Sequence, residues 1–252
     1  MLERVSSLGS PDSTLPHLLL EALAYFVGAR VYWHHARLQR GPSQPIDRWL
    51  LIGCALFGAA LGSKGLHVLE HFTALRERNE LALWLGGKSV LGGFLGGTLG
   101  VELGKQAIGW RTPTGDAWVP ALTIGLVLGR LGCQLSGVWD QTYGIPTSLP
   151  WAWNYGDGVP RHPVALYELL LVFTLFALLR TRWASFPGAR FAAFMAGYCA
   201  LRFGLEFWKP PFGLEATGTL PTGLQLGLSA IQWAALLGVV WFIALWRHRL
   251  RS

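Results

Sequence analysis

Seven long apolar runs constrain this chain more than any other feature, because each is close to the ~20 residues that a helix needs to cross a bilayer core. They cover residues 16–34, 49–66, 83–105, 117–136, 163–181, 189–207 and 223–246. Short clusters of charged residues, Pro and Gly separate the runs, unlike the apolar stripes of a soluble core. The pattern predicts an all-α, polytopic membrane protein, a bundle of about seven transmembrane helices.

The composition agrees with this class and argues against others. Hydrophobic residues make up 52% of the 252 residues and charged residues only 14%, too few charges for an ordinary soluble domain. The net charge of +7 does not indicate nucleic-acid binding, because the basic residues are scattered through the loops and form no stripe. Cys54, Cys133 and Cys199 lack the paired spacing of a zinc site or a disulfide framework, so we predict buried thiols and no bound metal.

The basic residues between the runs predict the orientation of the bundle. One side of the predicted membrane carries Arg37, Arg40, Arg48, Lys105, Arg111, Arg180, Arg182, Arg190, Arg247, Arg249 and Arg251. The other side carries only Arg4, Arg76, Arg78, Arg161 and Lys209. Because the side richer in Lys and Arg faces the cytoplasm, we expect the N-terminus outside and the C-terminus in the cytoplasm. The chain is then a multi-pass protein of the bacterial inner membrane.

The longest connection between runs, residues 137–162, faces the periplasm in this topology. It is rich in Trp, Pro, Gly and Tyr, which is typical of a loop that folds and carries function. The sequence has no internal repeat and no low-complexity tract, so residues 1–252 are predicted to form a single transmembrane domain. The sequence does not determine the oligomeric state.

Arg130 is the first candidate for function, because a charge inside an apolar run is costly unless it faces a partner or a polar cavity. It closes the fourth run between Gly129 and Gly132, which let a ligand or another backbone approach closely. The alternative is an arginine whose head group extends to the membrane interface.

Three charged residues follow one another on a single face near the end of the sixth run. Arg202 and Glu206 are four residues apart, so they can pair across one helical turn. Lys209 stands just before Pro210, where the helix is expected to end. A cation, an anion and a cation on one face suit binding of a phosphodiester, and the alternative is an ion pair that only stabilises the fold.

Other polar residues lie in or beside the runs. The ordinary pKa of His162, just before the fifth run, suits a general acid or base, although a loop histidine is often simply solvated. Glu21 in the first run and Lys88 in the third each need a partner within the membrane. After Lys88, glycines recur every four residues from Gly92 to Gly104, a spacing that favours close helix packing.

Three motifs occur in order in the second half of the chain: GRLGCQLSG at 129–137, YGIPTSLPW at 143–151 and VPRHPVALYE at 159–168. Together they resemble the signature region of the prolipoprotein diacylglyceryl transferase family. Residues 201–210, LRFGLEFWKP, are similar to the sixth-span motif of that family, and residues 223–229 to the start of its last span. The resemblance covers most of the chain from about Gly86 onward.

The resemblance implies seven spans with a cytoplasmic C-terminus and the activity of a phosphatidylglycerol:prolipoprotein diacylglyceryl transferase. Such an enzyme moves the diacylglyceryl group of phosphatidylglycerol to the thiol of a lipobox cysteine, forms a thioether and releases glycerol phosphate. The implied partners are phosphatidylglycerol, other membrane lipids and a lipobox-containing preprolipoprotein. The resemblance implies no metal and no organic cofactor.

The resemblance also implies roles for the residues that match the motifs. The catalytic group is Arg130 and Arg202 on the phosphate, Glu206 orienting Arg202, and His162 as the base, with Glu21 as a second candidate for the base. The implied substrate-binding residues are Gly129, Gly132, Gln134, Gly144, Tyr167, Lys88, Lys209 and Glu21.

The chain departs from the family pattern at several positions. Leu91 stands where the family has a histidine, Cys133 and Gln134 replace its Asn-Phe pair, and an insertion around residues 139–141 displaces a glutamate. Two alternatives therefore stay open. One is a family paralogue that transfers a different phospholipid-derived group or uses a different acceptor. The other is a non-enzymatic protein that binds or translocates lipid, for which intramembrane Arg and Glu are equally suitable.

Overall fold

The computed structural model describes residues 11–38, 45–78, 81–140, 142–183, 185–210 and 223–251. Its helices, numbered in chain order, are α1 Pro11–Ala36, α2 Pro45–Arg78, α3 Leu81–Gly86, α4 Val90–Ala107, α5 Trp118–Leu135, α6 Val164–Leu179, α7 Ala189–Leu205 and α8 Ala230–Arg249. Short 3₁₀ turns occupy Gly115–Ala117, Gly137–Asp140 and Glu206–Trp208. Two antiparallel hairpins pair β1 (Trp153–Asn154) with β2 (Pro160–Arg161) and β3 (Leu224–Gln225) with β4 (Leu228–Ser229).

The all-α fold class is confirmed, and each predicted run coincides with one of the longer helices over most of its length. Among the described residues, three segments are long and apolar enough to cross a membrane by length and composition: Ile46–Glu77, Gly115–Leu135 and Ala230–Arg249. The number of seven spans and the orientation of the termini stay predictions. Arg4 and Arg40, two of the residues on which the orientation rests, lie outside the described residues.

The outward faces of several helices carry large apolar side chains. On α2, for example, Leu56, Phe57 and Leu61 are 66%, 67% and 59% exposed. A soluble protein rarely exposes so many apolar groups side by side, whereas lipid tails would cover them. These faces therefore fit a membrane environment.

The main cluster of buried apolar side chains lies mostly among α5, α6, α7 and α8. Val119, Val172, Phe194, Tyr198 and Phe242 are fully buried there. α7 packs along α8, and α6 lies against both α5 and α7. This packing places side by side the three helices that carry the buried charges described below.

The glycine stripe of the third run packs closely against a neighbouring helix, as its spacing predicts, and the structure shows that this helix is α2. A side chain at Gly96 would overlap with the carbonyl oxygen of Gly58, and one at Gly92 with the carbonyl oxygen of Gly62. Gly100 meets the carbonyl oxygen of Cys54 in the same way. The two backbones are therefore in direct contact, which only glycine allows at these positions.

The third run is not one continuous helix over 83–105, and this part of the prediction is wrong. α3 ends at Gly86, and α4 begins at Val90 after three non-helical residues that include Lys88. Ser89 caps α4, since its hydroxyl accepts a hydrogen bond from the Gly92 N–H at 3.2 Å. The Gly87 carbonyl accepts a further bond from Lys64 Nζ at 2.7 Å, which ties the break to α2.

The last run also begins later than predicted, because residues 224–229 form the β3–β4 hairpin and the helix starts at Ala230. A capping box sets this start. The Ser229 hydroxyl accepts from the Gln232 N–H, and the Gln232 side chain accepts from the Ser229 N–H. The reciprocal bonds satisfy two backbone donors that the helix itself cannot pair.

The described residues of the connection 137–162 form a folded loop, and Gln141 lies outside them. Val138, Tyr143 and Tyr155 pack together in a small apolar cluster. The Arg161 guanidinium lies 4.8 Å from the centre of the Tyr143 ring, a cation–π contact. These contacts hold the loop together, and the Tyr155 hydroxyl ties it to the end of α5 by donating to Gln134 Oε1 at 3.0 Å.

Candidate active site

A carboxylate buried between two arginines forms the centre of the candidate site. Glu168 on α6 accepts a hydrogen bond from Arg130 Nη2 of α5 through Oε1 and another from Arg202 Nη1 of α7 through Oε2, both at 2.9 Å. The Glu168 side chain is only 1% exposed. Tyr198 also donates its hydroxyl to Glu168 Oε1 at 3.0 Å, so both carboxylate oxygens are satisfied.

The network continues from Arg202 toward the end of α7. Arg202 Nη2 donates to Glu206 Oε2 at 2.7 Å, which confirms the pairing that the four-residue spacing predicted. Lys209 Nζ lies 3.9 Å from the same Glu206 oxygen. Burial and the nearby Arg202 guanidinium lower the pKa of Lys209 below its ordinary value.

The helix ends explain why these side chains meet. Arg130 lies in the last two turns of α5, Glu168 in the second turn of α6 and Arg202 in the last turn of α7. The end of α5, the start of α6 and the end of α7 are therefore together at one end of the bundle.

The charges in this group do not cancel. Arg130, Arg202 and Lys209 supply three positive charges against two from Glu168 and Glu206, which leaves one positive charge. A buried excess of positive charge favours an anionic ligand, and guanidinium groups match the geometry of phosphate oxygens.

A second polar cluster lies on α1 and the turn after α5. His17 Nδ1 is 2.9 Å from Asp140 Oδ1, and His17 Nε2 is 3.5 Å from Glu21 Oε2. Glu21 also accepts from Lys88 Nζ and from the Tyr25 hydroxyl, each at 3.0 Å. These contacts supply the partners that Glu21 and Lys88 each require within the apolar runs.

Asp140 is held from two sides. Thr142 donates its hydroxyl to Asp140 Oδ2 at 2.6 Å, while Oδ1 faces His17. Burial alone would raise the pKa of Asp140, but the contacts with His17 and Thr142 outweigh it and keep the carboxyl below its ordinary pKa.

Cys133 joins the two clusters. Its sulfur is 3.9 Å from Arg130 Nη1. One donor atom each from His17, Cys133 and Asp140 also lie within 4.8 Å of one another. Among the described residues, these three side chains have donor atoms close enough together to share a metal ion.

Both clusters border a cavity of about 1250 Å³ that runs between α1, α2, α4 and α5. Its wall is mostly apolar, and Lys88, Arg130 and Glu206 are among the charged groups that line it. This volume exceeds the ~300–1,000 Å³ of sites for ordinary small ligands, as a lipid would require. Gly129 also lines the cavity, and a side chain there would meet no atom within 4 Å, so its absence leaves space open to a ligand.

Two predicted site residues lie elsewhere. His162 Nδ1 is 3.2 Å from the Tyr167 hydroxyl, and both rings pack near Trp208 in an aromatic cluster. Trp151 Nε1 also donates to the Tyr167 hydroxyl at 2.8 Å. Among the described residues that line the cavity, neither His162 nor Tyr167 is found.

Three other predicted site residues make contacts that stabilise the fold. The Gly144 N–H donates to the His162 carbonyl at 2.9 Å, and a side chain at Gly144 would collide with that residue. Gly132 lies close to the backbone of His17 and so brings α1 against α5. Gln134 Oε1 accepts from the Tyr155 hydroxyl at 3.0 Å, and burial raises the pKa of Tyr155 to about 12, which keeps that donor protonated.

Four residues of these clusters were not predicted from the sequence as site residues: Glu168, Tyr198, His17 and Asp140. Glu168 ends the third motif and has an acidic side chain in an apolar run, so the cost of burying charge could have identified it. Tyr198 precedes Arg202 by one helical turn. His17 and Asp140 are far apart in sequence, and no spacing rule joins them.

A family model and several known proteins are similar to this chain over most of its length. The family model for prolipoprotein diacylglyceryl transferase matches residues 18–247. A phosphatidylglycerol–prolipoprotein diacylglyceryl transferase of Bordetella parapertussis is 35% identical over 237 residues, which cover 88% of this chain and 84% of the relative. Similar proteins of the same name from Nitrosomonas europaea and Aromatoleum aromaticum are 33% and 34% identical, over 84% and 76% of this chain and 79% and 73% of their own lengths.

Proposed function

Because the chain belongs to the prolipoprotein diacylglyceryl transferase family, we propose that it transfers the diacylglyceryl group of phosphatidylglycerol to the thiol of a lipobox cysteine in a preprolipoprotein. The observation that carries this proposal is the pair Arg130 and Arg202, held by one buried carboxylate beside a large apolar cavity. A phosphodiester with two acyl chains needs both of these features.

Arg130 and Arg202 bind the phosphate. Glu168 fixes both guanidinium groups, so little reorganisation is needed when negative charge develops on the leaving phosphate oxygens. Glu206 holds the second arm of Arg202, and Lys209 adds positive field at the same end of the site. Glu168 acts through the arginines and is therefore a positioning residue.

The cavity holds the diacylglyceryl part. Its apolar wall suits acyl chains, and the open space next to Gly129 lies one residue from Arg130. The scissile carbon–oxygen bond would then lie between the acyl chains in the cavity and the phosphate on the arginines. The acceptor thiol must approach that carbon from the side opposite the leaving oxygen.

The same proposal includes the membrane arrangement: one domain of seven spans in the bacterial inner membrane, with the N-terminus outside and the C-terminus in the cytoplasm. The bias of Lys and Arg between the apolar runs supports this orientation. It places the Arg130 end of the bundle and the loop 137–162 on the periplasmic side, where a preprolipoprotein emerges.

We do not assign proton transfer to His162, because its Nδ1 lies 3.2 Å from the Tyr167 hydroxyl, its ring lies beside Trp208, and it is absent from the described cavity wall. The position in the third run where the family has a histidine offers no base either, since it is occupied by Leu91, which is fully buried and apolar. Activation of the thiol must therefore depend on other groups around the cavity.

The test uses the purified chain with phosphatidylglycerol that carries one label in an acyl chain and another in the terminal glycerol, together with a lipobox peptide. Diacylglyceryl transfer places the acyl label on the peptide and the glycerol label in soluble glycerol phosphate. Release of glycerol phosphate without peptide labelling would instead support a paralogue with another acceptor. Leu91 in place of the family histidine is the observation that favours this alternative. Label movement between leaflets without bond cleavage would show a lipid translocator.

A further inference from the structure

We propose that His17, Cys133 and Asp140 bind a divalent transition-metal ion of the zinc class beside Arg130, and that this ion takes the acceptor thiol as a further ligand. The metal site rests on the geometry alone. Its role in transfer rests on the proposed function.

The donor set is the first argument. An imidazole nitrogen, a thiolate and a carboxylate are the ligand types that zinc prefers, and three protein ligands leave a position open for a substrate, as in catalytic zinc sites. In a tetrahedral site with bonds of ~2.0–2.3 Å, neighbouring donors are roughly 3.5 Å apart. The three atoms lie within 4.8 Å of one another, and His17 Nδ1 and Asp140 Oδ1 are 2.9 Å apart, so small side-chain rotations suffice.

The state of His17 is a second, independent argument. Its Nδ1 is buried and faces Asp140 Oδ1 at 2.9 Å, but this contact lacks the alignment of a hydrogen bond. A poorly aligned contact between buried polar atoms is weaker than a well-aligned hydrogen bond. A metal ion along the in-plane direction of this nitrogen would satisfy it.

The surroundings of the ligands give a third argument. Metal-binding histidines usually place the other ring nitrogen against a carboxylate, which fixes the tautomer. His17 Nε2 is 3.5 Å from Glu21 Oε2, while Thr142 holds the second oxygen of Asp140 at 2.6 Å. Two of the three ligands are thus oriented by groups that leave Nδ1 and Oδ1 facing the site.

The position of the site connects the metal to the reaction. Cys133 is 3.9 Å from Arg130 Nη1, so an ion on Cys133 would be adjacent to the phosphate that Arg130 binds. A thiol that coordinates such an ion binds as the thiolate. This would replace the base that the buried Leu91 cannot supply.

The proposed step balances without a redox partner. The acceptor thiol loses its proton to water as its sulfur binds the ion. The sulfur lone pair then attacks the glycerol carbon that bears the phosphate, forming the carbon–sulfur bond. The carbon–oxygen bond breaks, and its electron pair leaves on glycerol phosphate, which Arg130 and Arg202 stabilise.

The test measures metal directly. The purified full chain is stripped with a chelator and titrated with Zn²⁺ and with Co²⁺, whose absorption reports thiolate coordination. We expect about one bound ion per protein chain, and for Co²⁺ a sulfur-to-cobalt charge-transfer band. Cys133→Ala should remove the band, and Glu21→Gln should weaken affinity ~10–100-fold through loss of orientation of His17.

Cys54→Ala is the matched control, because Cys54 is a half-buried free thiol on α2 outside the metal group. This variant should keep both the stoichiometry and the band. Absence of bound ion in the parent protein, or a band that survives Cys133→Ala, would overturn the site. A stripped protein that still forms thioether at the full rate would overturn the role of the ion and leave the transferase proposal intact. Ion binding without thioether formation would overturn the transferase proposal, and with it the role of the ion, but would leave the metal site intact.

Discussion

Arg130 on α5 and Glu168 on α6 form a buried ion pair, with 2.9 Å between Nη2 and Oε1. The same carboxylate pairs with Arg202 through its other oxygen, so one acidic side chain orders both cations of the proposed phosphate site. Breaking a buried pair is more costly than the pair is stabilising, because it leaves a charge without compensation.

Glu168→Gln should therefore lower the free energy of unfolding by ~3–5 kcal/mol, since two buried guanidinium groups lose their carboxylate. Denaturant or thermal unfolding in detergent micelles measures this change. Glu77→Gln is the control, because Glu77 is exposed at the end of α2 and its change should have little effect. Equal unfolding midpoints for the two variants would contradict the assignment of Glu168 as the central carboxylate.

Gly96→Ala should destabilise the protein by ~1–3 kcal/mol, because the added methyl group would overlap with the Gly58 carbonyl and force α2 and α4 apart. Gly53→Ala makes the same change on α2 where a side chain meets nothing within 4 Å. The comparison of their thermal midpoints isolates the helix contact from helix propensity. A Gly96 variant as stable as the Gly53 variant would rule out direct backbone packing at this point.

The sequence predicted close packing of the glycine face and the Arg202–Glu206 pair, because both depend on spacing within one helix, but it did not identify α2 as the partner of α4. It did not predict the break between α3 and α4, since hydropathy averaged over a long window does not detect a single capping residue such as Ser89. The assignment of His162 as the base stays a prediction, and in the structure the His162 ring lies beside the rings of Tyr167 and Trp208. The contact between His17 and Asp140 depends on how α1 packs on α5, which no local pattern encodes.

Gly129→Val should raise the KM for phosphatidylglycerol by ~10–100-fold with little change in stability, because the side chain would fill cavity space next to Arg130. Gly65→Val is the matched control on α2, where a side chain also meets no atom within 4 Å, but Gly65 is absent from the described cavity wall. Steady-state kinetics with phosphatidylglycerol in mixed micelles measures both variants. A similar KM in the two would argue against lipid binding beside Gly129.

The lowered pKa of Lys209 predicts a pH dependence with a definite sign. As the pH rises toward ~10, Lys209 should lose its charge earlier than an ordinary lysine, so the KM for phosphatidylglycerol should rise. Lys209→Arg keeps its charge throughout this range, and its KM should stay nearly constant. Identical KM profiles for the two proteins between neutral and alkaline pH would exclude a role for this charge in lipid binding.

The most direct test of the central claim is the rate of thioether formation between labelled phosphatidylglycerol and a lipobox peptide, measured for the purified chain and for Arg130→Lys. The substitution keeps a positive charge opposite Glu168 but removes the planar guanidinium. We predict that the parent chain labels the peptide and releases glycerol phosphate, and that the variant is slower by at least ~100-fold while it remains folded. A parent chain that forms no thioether, or a variant that works at the full rate, would contradict the account.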